Sequence, residues 1–213
     1  MAVAPQEPDR DCRLCPRLAA FRDENRKANP EWFNGPVPAF GSRDAELLIV
    51  GLAPGLKGAN LTGRPFTGDY AGDLLYATLL EFGFAKGIYK KQPDDGLRLI
   101  DCRITNGVRC VPPQNKPIGP EINSCRPFLT TEIASMPNLR AVLSLGLVSH
   151  NTVLAALGEK RSAWKFSHGA LHTLPCGLSL ADSYHCSRYN TNTGRLTVPM
   201  FHDVFRGLQG FLN

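Results

Sequence analysis

The sequence predicts an α/β fold, a mainly parallel sheet covered by helices on both faces. Three observations carry this expectation. Short apolar runs stop abruptly at glycine, the stretches behind them are spaced as amphipathic helices, and the order strand, turn, helix recurs along the chain.

The first unit begins with residues 45–50 (Ala-Glu-Leu-Leu-Ile-Val), an apolar run closed by Gly51 that reads as a buried strand. A glycine-rich loop follows. Leu74, Leu75, Thr78, Leu79 and Phe82 then recur at helical spacing over residues 72–82. A second strand is expected over 97–105, ended by the Pro-rich segment 111–117, and Pro120 can open a helix through about Ser135. Residues 140–145 repeat the pattern, stopping at Gly146 before a helix through Leu157. Residues 178–184 read as the last buried strand and 197–212 as a C-terminal helix. Strands alternating with helices imply parallel pairing with both faces covered. In open α/β sheets ligands bind beyond the carboxyl ends of the strands. Four unusual segments fall there, residues 51–69, 106–117, the region after Gly146, and 185–197, so one composite pocket is expected.

Length and composition set the frame. The 213 residues suffice for one buried core, and a single domain over 1–213 is expected. With 43% hydrophobic and 20% charged residues the chain is of globular rather than disordered type. The formal charge of +5 suits a polyanionic partner, but the basic residues are scattered and read equally well as a solvated surface. No secretory signal and no run of about 20 apolar residues is visible, so a cytoplasmic, reducing location without a membrane partner is expected.

Seven cysteines, an odd number, argue for thiols and metal ligands rather than a disulfide framework. Cys12 and Cys15 form C-x-x-C, and Cys110 and Cys125 lie far downstream with 14 residues between them. Four thiolates can close a tetrahedral site, and either zinc or a cubane iron–sulfur cluster accepts them. Cys102, Cys176 and Cys186 remain as plain thiols.

The loop after Gly51 carries glycines at 55, 58, 63 and 68, which let backbone N–H groups approach an anion or a flat polar ring. It has neither the Gly-Lys-Ser/Thr ending of a Walker loop nor the dinucleotide fingerprint, which argues against nucleotide hydrolysis. Phe66 can offer a stacking platform for a base or serve as a core phenylalanine. Asp69, at the start of the next helix, has the position of an N-cap.

The run 51–69, with its core Gly-Arg-Pro-Phe-Thr-Gly-Asp, resembles the first motif of the uracil-DNA glycosylase superfamily, in particular family 5, the type b enzymes. Residues 108–117 (Val-Arg-Cys-Val-Pro-Pro-Gln-Asn-Lys-Pro) support the match. Residues 183–197, around Ser-Tyr-His-Cys-Ser-Arg-Tyr-Asn, are similar to the second motif, and the cysteine pattern extends the resemblance from about Cys12 to Thr197. It implies a three-layer α/β/α fold around a four-stranded sheet, and a structural [4Fe-4S] cluster on Cys12, Cys15, Cys110 and Cys125. The implied activity is hydrolysis of the bond joining uracil, and in a broad enzyme other deaminated bases, to deoxyribose in DNA, by a monomer.

The resemblance also assigns roles. Phe66 stacks on the flipped base, backbone groups from Gly51 through Ala53 to Pro54 bind its polar edge, and His185 donates to the base O2 as charge develops. Ala53 stands where some branches place a water-activating Asp or Asn, which shifts that duty to Asp69 against its capping reading. Asn190 fixes the loop or binds the base or backbone. Ser187 and Arg188 are candidates for phosphate contacts, and residues 189–193 for the wedge entering the duplex. Two departures matter. Asn106 is a residue of the related family 4, where its amide pairs with uracil N3–H and O4, implying a narrower, uracil-only range. Cys186 replaces the more usual proline or valine. The competing readings are a non-catalytic damaged-DNA-binding protein and a zinc-stabilised nucleotide-binding module.

Overall fold

The computed structural model describes residues 7–212. In chain order it contains helix α1 (Pro16–Ala28), strand β1 (Leu47–Gly51), the single turn α2 (Ala59–Thr62) and helix α3 (Tyr70–Glu81). There follow β2 (Ala85–Lys86), β3 (Arg98–Leu99), β4 (Cys102–Asn106), α4 (Gly119–Ala134), β5 (Ala141–Leu145) and α5 (Leu147–Ala156). The chain closes with β6 (Leu171–Thr173), β7 (Ser179–Ser183), the short α6 (Arg188–Asn192) and α7 (Val198–Leu212).

The sheet runs β4-β1-β5-β7-β6. Its first four strands are parallel, with Leu47 opposite Cys102 on one side and Ala141 on the other, and Ala141 opposite Ser179. The apolar runs are continuous because both faces are covered, as parallel sheets require. Leu47 and Ile49 pack with Leu75 and Leu79 of α3 and with Phe201 and Phe205 of α7. Leu48 and Val50 meet Leu129 and Ile133 of α4 and Val153 and Leu154 of α5. A one-residue shift in register would exchange these two layers.

The expected α/β/α layering is present, with one correction: the sheet has five strands, not four. The fifth, β6, pairs antiparallel with β7 at the edge. Its Leu-His-Thr sequence has no apolar run, and it is placed by a turn, Leu174-Pro-Cys-Gly177, in which the Gly177 N–H donates to the Leu174 carbonyl at 2.9 Å. A second correction concerns 97–105. Asp101, at φ +45, breaks that stretch into β3, which forms a small antiparallel ribbon with β2, and β4, which enters the main sheet. Among the described residues no helix is long and apolar enough to cross a membrane.

β1 leads through α3 to β4 on one side, whereas β5 leads through α5 to β7 on the other. The neighbouring strands β1 and β5 therefore bound the switch point, where a crevice opens beyond the strand ends.

Candidate active site

A cleft of about 830 Å³ occupies that crevice, within the range of small-molecule pockets. Its walls come from four strand ends: Ala53 and Pro54 after β1, Asn106 closing β4, Gly146 to Val148 after β5, and His185, Ser187 and Arg188 after β7. Phe66 and Asp69 complete it.

Gly51, at the end of β1, lies against two of the cleft side chains. A Cβ there would lie 2.4 Å from Asn106 Oδ1 and 2.5 Å from the Phe66 ring, so only glycine lets these two side chains approach each other. The Phe66 side chain belongs to the core beside β1 and also lines the cleft. Its φ of +53 is an outlier for a bulky residue, and such backbone strain costs about 1–3 kcal/mol.

His185 faces Phe66 with ring centroids 6.0 Å apart and planes 30° from parallel. Its Nδ1 is buried with no hydrogen-bond partner among the described residues. Burial holds the imidazole neutral, pulling its pKa down to about 4. Asn106, 3% exposed, has its Oδ1 buried and equally without a protein partner. Two buried polar atoms at one cleft lack the hydrogen bonds that interiors normally provide, and a polar ligand edge would supply them.

Asp69 divides its carboxylate. Oδ1 accepts from the Gly72 N–H at 3.0 Å and caps α3. Oδ2 lies over Gly58, where a Cβ would come within 2.6 Å of it, and takes no hydrogen bond from the described residues. Burial raises the carboxyl above the ordinary aspartate range, with the Gly72 N–H opposing and Asp73 reinforcing. The capping bond and the oxygen over Gly58 thus belong to different atoms of one carboxylate.

Ser187 caps α6 through Asn190 N, and the Arg188 guanidinium lies 5.2 Å over the Tyr70 ring. The Asn190 amide donates to the His185 carbonyl at 2.8 Å, so it holds the histidine loop and does not line the cleft. Tyr189 in the expected wedge segment is 72% exposed.

The four cysteines converge elsewhere. Cys12, Cys15, Cys110 and Cys125 line one small cavity with Leu18, Val108 and Phe128. Arg17 grips Glu121 at 2.7 and 2.8 Å, fastening α1 to α4 and with it the C-x-x-C pair to Cys125. Arg22 is fully buried without an acidic partner among the described residues. It donates to Cys110 Sγ at 3.7 Å and to the Cys12 carbonyl at 2.8 Å. Burial pushes the thiols of Cys110 and Cys125 up to about 12 and about 11. A buried guanidinium with no carboxylate in ion-pair contact among the described residues, beside the buried Cys110 and Cys125 and the half-buried Cys12 and Cys15, suits negative charge on the sulfurs, as metal-bound thiolates would carry. Cys102 and Cys186 are buried and Cys176 exposed, away from this group.

Residues 38–209 match the family model described as the Uracil DNA glycosylase superfamily. The chain belongs to the uracil-DNA glycosylase superfamily. A protein named Type-5 uracil-DNA glycosylase from Thermus thermophilus is 46% identical over 199 residues, covering 91% of this chain and 90% of that protein. A Type-5 enzyme of Pyrobaculum aerophilum is 36% identical across 92% of this chain and 87% of its own length. A Type-4 uracil-DNA glycosylase from the same organism is 34% identical across only 58% of this chain and 56% of its own.

Asn115, Leu147 and Val148 line the cleft of this superfamily member from segments expected there, though none is singled out by residue, and Tyr70 lines it from just outside the expected 51–69. Leu147 and Val148, 54% and 42% exposed at the start of α5, look like ordinary helix positions in sequence. Their one signal is Gly146, whose φ of +97 ends β5 at the cleft.

Proposed function

We propose that the cleft hydrolyses the N-glycosidic bond of uracil in DNA and releases the base to leave an abasic site. The observation that carries this is the convergence of Phe66, Asn106 and His185, from three strand ends, with two buried polar atoms awaiting a ligand. A base swung out of the duplex stacks on Phe66. The Asn106 amide offers one acceptor and one donor, matching uracil N3–H and O4, whereas cytosine presents the reverse pattern. Backbone groups between Gly51 and Pro54 meet the remaining edge.

As C1′–N1 breaks, its electron pair passes to the base and collects at O2, where neutral His185 donates a hydrogen bond; one such donor is typically worth about 3 kcal/mol. The sugar cation is left facing Asp69 Oδ2. That oxygen orients water for bond formation at C1′, and the water proton leaves to the carboxylate or solvent. Ser187 and Arg188 contact phosphate, and the α6 segment around Tyr189 fills the gap in the duplex.

Cys12, Cys15, Cys110 and Cys125 hold a [4Fe-4S] cluster whose chemistry is to cross-link α1, the loop after β4 and α4.

Alkaline cleavage of labelled uracil-containing DNA tests the activity, and absence of an abasic product from protein with its cluster intact sinks it. Hypoxanthine and xanthine share the N–H/C=O edge of uracil, so the proposed range includes them. Asn106→Ala should then slow uracil and hypoxanthine excision alike. Loss on uracil alone would confine the Asn106 contact to uracil, and absence of hypoxanthine excision by the unaltered protein would restrict the range to uracil.

A further inference from the structure

Phe66 adopts a backbone conformation that phenylalanine avoids, and its surroundings show how it is kept there. The three successive carbonyls around it are each held by a hydroxyl. Tyr76 donates to Pro65 O at 2.6 Å, Tyr89 to Phe66 O at 3.2 Å, and Thr62 to Thr67 O at 3.1 Å. Tyr89 also accepts from the Gly68 N–H at 3.4 Å, so a single hydroxyl bridges both sides of the turn. The Phe66 carbonyl and the Tyr89 hydroxyl both close on α3 at Gly72, where a Cβ would come within 1.7 Å of the first and 2.7 Å of the second.

Tyr89 belongs to the segment linking β2 to β3, remote in sequence and absent from the cleft wall. Its ring packs on Tyr76 at 4.5 Å, and the Arg64 guanidinium lies over both rings at 5.4 and 5.8 Å. Arg64 is held by two 2.8 Å hydrogen bonds to Asp95, whose buried carboxylate also accepts from the N–H groups of Lys90 and Leu97. Asp95 thereby closes the linking segment and fastens it to the residue two places before Phe66. Bidentate pairing of this kind fixes geometry as well as contributing energy.

We propose that Tyr89 and Asp95 are positioning residues: through the Tyr89 hydroxyl and the Arg64–Asp95 pair, the β2–β3 segment holds Phe66 in the conformation that aims its ring into the cleft. This rests on the reading of Phe66 as the stacking platform. The segment then governs how well the base is received and leaves DNA binding outside the cleft untouched.

The test is a double-mutant cycle on the cluster-loaded protein, combining Tyr89→Phe with Phe66→Leu, which keeps apolar bulk but loses the flat ring. Single-turnover excision of uracil and affinity for DNA carrying a stable abasic analogue are both measured. Tyr89→Phe should slow excision about tenfold, the effect of one well-placed hydrogen bond. Affinity for the abasic analogue should stay at the wild-type value, since no base is present to stack. In the Phe66→Leu background the same substitution should change the rate by less than about twofold, because the residue it acts through is gone.

An equal loss in both backgrounds overturns the proposal. So does an unchanged rate, or a loss matched by weaker binding of the abasic analogue. Phe66→Leu at the wild-type rate would instead strike the stacking reading beneath it, a failure visible before Tyr89 is changed. Should Tyr89→Phe not fold, Asp95→Asn enters the same cycle under the same criteria.

Discussion

Phe66 and His185 face each other across the cleft at 6.0 Å, the first carried by the loop after β1 and the second by the end of β7. The Phe66 ring takes its place there because Gly51 has no Cβ. Gly51→Ala should push both the Phe66 ring and the Asn106 amide aside, since its Cβ would fall within 2.5 Å of each. Misplacement of about 1 Å can cost on the order of 100-fold in rate, and overpacking about 1–3 kcal/mol in stability. Single-turnover excision and denaturant unfolding measure the two effects, and a wild-type rate would remove Gly51 from the site.

Asp69 is separable into its two oxygens by a conservative change. Asparagine caps helices as well as aspartate does, so Asp69→Asn should preserve the Gly72 hydrogen bond and shift stability by less than about 1 kcal/mol. Excision should nevertheless fall by about 100-fold or more as the charge facing the sugar is lost. Full activity with a lowered melting temperature would make Asp69 a cap alone.

Much of this arrangement is legible in sequence, for reasons that differ by element. The four parallel strands announce themselves because both faces are buried, and Gly51 and Gly146 mark where β1 and β5 reach the cleft. Helix α1 hides because its inner face buries Arg22 and Asn25 beside Leu18 and Ala19, giving no apolar stripe. The gathering of four cysteines from three parts of the chain is invisible to periodicity and is suggested instead by their count, the C-x-x-C spacing and the motif resemblance, while the order of elements already brings the segments of Asn106 and His185 to one end of the sheet. Tyr89 and Asp95 lie in a polar stretch, Tyr-Lys-Lys-Gln-Pro-Asp-Asp-Gly, and only the long-range pair with Arg64 reveals them.

The raised Asp69 carboxyl and the lowered His185 imidazole together set the pH response of excision. His185 stays neutral down to about pH 4, so its donor form is constant through the neutral range. The rate should fall on the acid side as Asp69 takes up a proton, at a pH above the ordinary aspartate value of about 3.9. That limb should disappear in Asp69→Asn. Its persistence there would assign it to another group.

A second histidine gives stability the opposite dependence. His150 on α5 is buried with Nδ1 2.7 Å from Asp182 Oδ1 and Nε2 3.0 Å from the Trp164 carbonyl. Asp182 also accepts from Ser144 and meets His172. Burial opposes the imidazolium, but the Asp182 hydrogen bond and charge outweigh it, so His150 titrates above the usual histidine range. The unfolded value is about 6.5. This contribution is fully present below that pH and is lost as pH rises through the higher folded value. His185, with its folded value below 6.5, costs stability as pH falls from 6.5 toward about 4. Unfolding free energy should therefore decline on the alkaline side in wild type, and His150→Gln should lack that slope.

The cysteine cavity supplies the last expectation. Arg22 buries a cation against Cys110 Sγ with no carboxylate in ion-pair contact among the described residues, an arrangement that negative charge on the sulfurs would favour. With the cluster bound, Arg22→Gln should leave that negative charge unbalanced and cost about 3–5 kcal/mol, the penalty for breaking a buried pair. Hydrogen bonds to cluster sulfurs tune reduction potential, so losing this one should move the potential downward. Both are read on purified protein, by voltammetry and by the decay of the broad visible absorbance during unfolding. In metal-free protein the effect should reverse, because Gln removes an uncompensated buried charge and the apo form gains stability. A substitution that destabilises both forms equally would show that Arg22 serves packing rather than the cluster.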